Sequence, residues 1–261
     1  MASSASAALT PSDLAFTSTA PSGVKYGDKV AYTPVATTLS TSPVTYSIDS
    51  SSSTVCKLTT GVVSVQTAGT CKIVAAAVED ATYEAGTASQ SFSIAKVPLT
   101  ITTSSSSTFF GGVTPSFSAY YNGFVNGDTA SKLKKAPTCT STGVVTSNPG
   151  VYPTTCSGAD SPNYTFTYVP GTFTVSQSSL VLIPSATVHV GKLPKKFKLT
   201  GYGWQAWDDE ASNDVVGKPK CKVPAAAKKK AGTYKITCTK GTLKSLNYAL
   251  TLAPGILTVK K

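Results

Sequence analysis

Fifteen residues occur twice in this chain, and the repetition constrains its fold more than any other feature. Ser161–Val175 reads SPNYTFTYVPGTFTV and Ser245–Val259 reads SLNYALTLAPGILTV, with eight of fifteen positions identical at an offset of 84 residues. Both copies keep an Asn-Tyr pair (Asn163-Tyr164, Asn247-Tyr248), a Pro-Gly pair (Pro170-Gly171, Pro254-Gly255) and a closing Thr-Val. Proline presets its φ for the first central turn position and glycine accepts positive φ at the second. Pro-Gly therefore predicts a type II turn or short bulged loop, and the segment reads as an antiparallel hairpin written twice. Its flanks alternate as half-buried strands do. Tyr164, Phe166 and Tyr168 share one face with Thr165 and Thr167 on the other, and Tyr248, Leu250 and Leu252 repeat the pattern. Such a repeat is an architectural unit rather than a catalytic one.

A period near 84 divides 261 residues into three small units. A hydrophobic content of 41% can furnish cores, while a charged content of only 13% with abundant Ser and Thr suits all-β modules. The nearest approach to a helix is Pro224–Ala231, PAAAKKKA, too short to hold one alone. Alternating runs at Val44–Ile48, Gly61–Val65, Cys71–Val78 and Ser91–Ile94 are separated by Gly, Pro, Ser and Asp clusters, which is sandwich spacing.

The six cysteines follow the same partition. Cys56 and Cys71, Cys139 and Cys156, and Cys221 and Cys238 give one pair per unit at near-constant spacing, which favours sequential disulfides over the other connectivities. Each would staple adjacent strands and contribute about 3 kcal/mol. Zinc is the competing reading, but there is no CxxC and only one histidine, so no unit holds a tetrahedral Cys/His set. Disulfides imply an oxidising destination.

Two resemblances refine the units. Thr54-Val55-Cys56, Gly61-Val62-Val63 and Ala68-Gly69-Thr70-Cys71 resemble a bacterial Ig-like module common in surface proteins, whose two cysteines lie on nearby strands. Gly123–Thr129, Gly150-Val151-Tyr152, Asn163-Tyr164 and Pro170–Val175 resemble the MBG-type bacterial Ig-like repeat, and the last unit repeats these with drift: Gly203-Trp204 for Gly123-Phe124, Asp208 for Asp128, and Gly232-Thr233-Tyr234 for Gly150-Val151-Tyr152. It departs where Asn126-Gly127 becomes Ala206-Trp207, followed by Asp208, Asp209 and Glu210. The expected division is an N-terminal segment 1–13, a first module 14–96, a second 97–178 and a third 179–261. The expected fold class is all-β, three tandem Ig-like β-sandwich domains stacked as a rod through short linkers.

Charge is distributed unevenly. The net charge is +11, every one of the 23 basic residues is lysine, and fifteen of them, against four acids, lie in 179–261. Without arginine's planar fork, anion binding is expected to be diffuse and salt-sensitive. The clusters are Lys192, Lys195, Lys196 and Lys198; Lys218, Lys220 and Lys222; and Lys228, Lys229 and Lys230. They make an anionic cell-surface polymer or an acidic protein surface the expected partner. A solubilising face is the plainer reading of the same lysines. No helix-turn-helix, zinc finger or RNA-binding motif accompanies them, so sequence-specific nucleic-acid reading is not expected.

Catalysis is not expected either. The sole histidine, His189, alternates with valines on a strand, and there is no GxSxG, HExxH, Walker A or strand-linked GxGxxG. No cofactor or metal is expected. Asp208, Asp209, Glu210 and Asp214 lack EF-hand spacing and read as a solvated acidic loop in preference to a calcium site. Trp204 aligns with Phe124 and should pack inward, whereas Trp207 aligns with Gly127 and is the better candidate for a ligand contact. Asn163-Tyr164-Thr165 has the glycosylation pattern but Asn247-Tyr248-Ala249 does not, so the match reads as coincidence.

MASSASAALTPSDLAF has neither a basic n-region nor an apolar core, and no transmembrane segment is expected downstream. The leading expectation is thus a non-enzymatic structural or adhesive protein on a bacterial surface, a spacer or stalk with a basic end. A bacteriophage virion protein, as tail or capsid decoration, is the alternative, and a carbohydrate-binding module using Trp207 is the third.

Overall fold

The computed structural model describes residues 9–211 and 214–261. Apart from three short 3-10 turns its regular structure is all strand, and the architecture is that of tandem Ig-like β-sandwich domains. Pro224–Ala231, expected to fall short of a helix, carries one of those turns at Ala225–Lys228. The chain resolves into two compact units. One is Met1–Thr102 with Ala119–Thr138 and Cys156–Val169, and the other is Thr103–Ser118 with Cys139–Thr155 and Pro170–Lys261.

In the first unit, Gly69–Ala77 is the central strand of an antiparallel sheet with Thr45–Ile48 on one side and Gly86–Ile94 on the other. Its alternate residues Cys71, Ile73, Ala75 and Ala77 are buried, as a period of two demands when one face meets a core. A hairpin of Cys56–Thr59 and Val62–Val65 places Cys56 in that core. The Val97–Thr103 strand lies between Ala119–Asn122 and Tyr164–Val169 and runs parallel to the latter. One apolar cluster joins Val63, Ile73 and Phe92 of the first module to Leu99, Leu133 and Tyr164 of the second.

In the second unit, Gly171–Ser176 pairs with Gly150–Ser157 and with Ser106–Phe109. Beyond it, Ser178–His189 runs unbroken for 12 residues and carries two partners in succession. Ser178–Leu182 pairs in parallel with Tyr248–Leu252, and Ser185–His189 pairs in parallel with Gly255–Lys260. Lys198–Tyr202 runs antiparallel to Val181–Ser185, and Gly232–Thr239 and Lys220–Lys222 continue outward from Gly255–Lys260. Phe173, Leu180, Leu182, Tyr248 and Leu250 form one apolar cluster, and Ile236, Leu257 and Val259 another.

These pairings overturn the hairpin expected for the repeated segment. Tyr248–Leu252 and Gly255–Lys260 both run parallel to one continuous strand, so the chain does not reverse at Pro254-Gly255. It crosses from one partner region of Ser178–His189 to the next. The second module matches: Tyr164–Val169 and Gly171–Ser176 belong to different sheets and do not pair with each other. The type II turn fails for the same reason, because neither Gly171 nor Gly255 has positive φ. Glycine is needed there for close approach. A Cβ on Gly171 would lie 2.5 Å from the Thr103 carbonyl oxygen, and one on Gly255 would fall on the carbonyl oxygen of Pro184. Proline beside it has no N–H to leave unpaired where the chain changes partners.

Candidate functional site: a lysine-bearing face and the joints behind it

The lysines of the third module are spread over four stretches of sequence, and the fold gathers them. Lys220 and Lys222 flank Cys221 on a short strand, so a period of two sends both ammonium groups outward while Cys221 turns in. Cys221 lies directly opposite Cys238 in the antiparallel register and is bonded to it. The 3-10 turn Ala225–Lys228 buries Ala227 and leaves Lys228 exposed at its end. Three shallow depressions tile this surface. The first, of about 340 Å³, is lined by Lys220, Lys222, Thr237 and Thr239 with both cysteines. The second, of about 470 Å³, is lined by Leu193, Pro194, Phe197, Cys221, Val223, Pro224 and Ala225 with Lys228 and Lys229. The third, of about 330 Å³, lies between Lys195, Lys196, Phe197 and Lys218. Shared walls at Cys221 and Phe197 make them one continuous face.

Lys192, Lys198 and Lys230 are also exposed but line none of these depressions. Among the described residues the ion pairs are Lys72–Asp49 and Lys134–Asp160, so no lysine of the third module has a carboxylate partner. The nearest acids in sequence are engaged elsewhere. Asp208 accepts a hydrogen bond from the Tyr248 hydroxyl (2.6 Å), Glu210 from the Gly201 amide (3.2 Å), Asp209 from the Ala211 amide (2.8 Å), and Asp214 from the Asn247 side-chain amide (3.1 Å). Burial raises the Asp214 carboxyl above its ordinary value, and the neighbouring Asp208 carboxylate adds to the shift. Among the described residues no group of three or more His, Cys, Asp or Glu is placed to hold a metal, and Ser212 and Asn213 of this loop lie outside them.

The acidic loop belongs to a joint between modules, and the joint is built twice. In the first unit Tyr164 is buried and donates to Asp128 (2.8 Å), as does Tyr26 of the first module (3.0 Å). The Val125 amide donates to the Tyr164 hydroxyl (3.1 Å), and the Tyr26 ring meets Tyr164 edge-on at 5.7 Å. In the second unit Tyr248 takes the place of Tyr164, Asp208 that of Asp128, and Gln205 that of Val125. Phe110 takes that of Tyr26, meeting Tyr248 edge-on at the same 5.7 Å. Burial pushes the Tyr164 and Tyr248 phenols up to about 12, each helped by its carboxylate partner.

Trp204 packs against Tyr248 at 5.2 Å as Phe124 does against Tyr164 at 5.3 Å. Its indole N–H sits over Gly201 with no partner among the described residues. Trp207 is 56% exposed, yet one edge meets Phe110 of the preceding module at 6.1 Å. The structure thus separates Trp207, at the joint, from the lysine face.

The structure also reveals a device that sequence reasoning missed. At the end of each module's opening strand an apolar residue and a glycine form a tight corner: Tyr26-Gly27, Phe110-Gly111 and Val190-Gly191. Each corner's first residue donates its amide to a closing-strand carbonyl: Tyr26 to Ala95 (2.9 Å), Phe110 to Ser176 (2.8 Å) and Val190 to Lys260 (3.0 Å). Each glycine has positive φ, +97°, +71° and +82° in turn. The signal was present, as an apolar-Gly pair recurring near the module period, but the pair is too short to stand out in sequence.

Cys56 and Cys71 are bonded within the first core, Cys139 and Cys156 are each in a disulfide, and no cysteine is free. His189 is exposed at a strand end opposite Lys260. No helix among the described residues is long and apolar enough to cross a membrane.

The profile of the MBG domain (YGX type) family matches residues 99–174 and 185–258, together more than half of the chain, and does not extend over the first module. No curated protein matches. Among solved structures, Drosophila N-cadherin EC1-4 is 12% identical, with 97% of this chain and 76% of that one covered at a TM-score of 0.25. Titin domains A168-A170 are 12% identical, with 95% and 100% covered at 0.33. The N-terminal eight Ig domains of Down Syndrome Cell Adhesion Molecule are 11% identical, with 91% and 34% covered at 0.32. Likeness at this level bears on neither partner nor activity.

Proposed function

Because the chain belongs to the MBG domain (YGX type) family, we propose that it is a non-enzymatic structural or adhesion protein of the bacterial cell surface. In this reading three modules, divided near residues 96 and 178, act as a disulfide-stapled spacer whose third module holds an anionic surface polymer. Ig-like modules stapled by disulfides suit an extracellular, oxidising setting. The observation that carries the reading is the continuous face around Phe197 and Cys221, where seven exposed lysines have no carboxylate partner among the described residues.

Such a face attracts by its field rather than by shape. Lysine is a hydrated point charge, the depressions are shallow, and a polyanion can slide across them while its counterions are released. Trp207 is assigned to the joint in this reading and not to a glycan, since its ring edge already meets Phe110.

Binding of the full chain to immobilised teichoic acid, measured over a salt series, tests the proposal. Affinity should fall steeply between low and physiological salt, because exposed charges are screened beyond a Debye length of about 8 Å. Replacing Lys220, Lys222, Lys228 and Lys229 together with Glu should abolish retention, whereas Trp207→Ala should leave it. Retention that ignores salt and survives the quadruple change would remove the lysine face from the function.

A further inference from the structure

The three corners are built alike, but their surroundings differ. Tyr26 and Phe110 are 8% and 4% exposed, and a Cβ on Gly27 or Gly111 would strike Val125 or Gln205 of the following module's loop. Val190 is 41% exposed, and nothing among the described residues lies within 4 Å of a Cβ on Gly191. A joint used twice within the chain is therefore presented a third time with its receiving side uncovered.

The first module carries the complementary half, also uncovered. In the second and third modules the loop that docks on a corner starts at Gly123 or Gly203, hard against the beginning of its own opening strand at Pro98 or Ser179. In the first module that place belongs to the loop at Leu39, whose amide donates to Ser12 (2.9 Å) and whose side chain is 56% exposed. Asp80 ties the loop down, accepting from the Ser40 hydroxyl (2.9 Å) and the Thr41 amide (2.8 Å), much as Asp128 and Asp208 anchor theirs. The amides of Thr82, Tyr83 and Thr41 hold its carboxyl far below the usual carboxylate range, so it stays charged.

Charge sorts the two uncovered ends. Exposed Asp13, Glu79 and Glu84 surround the Leu39 loop: Glu84 donates its amide to Thr10 (2.8 Å), and Asp13 follows Ser12. The corner is flanked by Lys192, and the Gly191 amide donates to the Lys228 carbonyl (3.0 Å), which brings the 228–230 lysines beside it. We propose that the Val190-Gly191 corner receives the acidic Leu39 loop of a second copy of this chain, so that copies join head to tail. Corner on corner would set lysines against lysines, and loop on loop carboxylates against carboxylates, so only the unlike pairing is electrostatically favoured. The contact is heterologous: one site of each kind per chain lets copies add in series. It is weaker than the internal joints because a second copy lacks the tethering that makes those joints intramolecular.

Sedimentation velocity of the full chain tests this. At low salt the average mass should climb with concentration without stopping at a dimer, and at about 0.5 M salt it should return towards the monomer. Val190→Glu and Leu39→Glu alter exposed side chains, and each alone should raise the concentration needed for association by about tenfold or more. Mixing the two variants is decisive, since each keeps one intact end: the mixture should form a dimer and stop there. A chain that stays monomeric at low salt at every concentration overturns the proposal. So does association that ignores both substitutions, or a wild-type plateau at a closed dimer. Leu39→Glu should still bind teichoic acid, so loss of self-association and failure of the polymer reading are separately visible.

Discussion

At Gly255 the backbone passes so near Pro184 that a single methyl group has no place, while at Gly191 the same methyl would meet open space but demand positive φ. The two glycines are required for different physical reasons, and substitution separates them. Gly255→Ala should lower stability by about 3 kcal/mol, since the obstacle is a carbonyl oxygen on a paired strand that cannot turn aside. Gly191→Ala should cost only about 1–2 kcal/mol, the penalty of a left-handed L-residue. Denaturant midpoints of the two variants measure the difference. The Pro-Gly pattern was legible in sequence, but its cause was not, because glycine serves tight turns and close approaches alike.

At the scale of elements, the crossing strands and joint loops depend on two tyrosines whose hydroxyls point inward. The Tyr164 and Tyr248 phenols are raised to about 12, first by burial and then by the carboxylates they donate to. Their unfolded counterparts ionise near pH 10. Between about pH 10 and 12 the unfolded chain has lost these protons while the folded chain keeps them, so stability falls as pH rises through that window. The stabilisation is fully present below pH 10. Urea unfolding at stepped alkaline pH should show this loss, and Tyr164→Phe with Tyr248→Phe should flatten it while lowering stability at neutral pH. The alternation of both strands was readable from sequence. That each tyrosine closes a joint was not, since Tyr26 and Asp128 stand 102 residues apart.

For the whole molecule, three disulfides stand beside modest apolar clusters, so the bridges carry an appreciable share of stability. Replacing Cys56 and Cys71 together with Ser should cost about 3 kcal/mol from the lost loop constraint. Both sulfurs are buried, at 1% and 0% exposure, so polar replacements add a desolvation penalty. The same double change at Cys221 and Cys238, half-buried beneath the lysine face, should cost the loop term with less added. Comparing the two variants in chemical denaturation checks the order. The partition of cysteines and the crowding of lysines into the last third were plain in the sequence. Their convergence around Phe197 was not, since it depends on which strands become neighbours.

What the sequence determined by itself is the set of local preferences. It specifies strands by alternation, modules by the recurrence of Asn-Tyr and Pro-Gly, and an excess of positive charge by position. What the tertiary structure alone decided is partnership. It settled that the repeated segment crosses between strand partners instead of folding back, and that Tyr26 and Phe110 are covered while Val190 is open. The reason is physical. Alternation depends on bonds between chain neighbours, which any short stretch carries, whereas the choice of sheet and of docking partner is made by residues tens of positions away that must first be brought into contact.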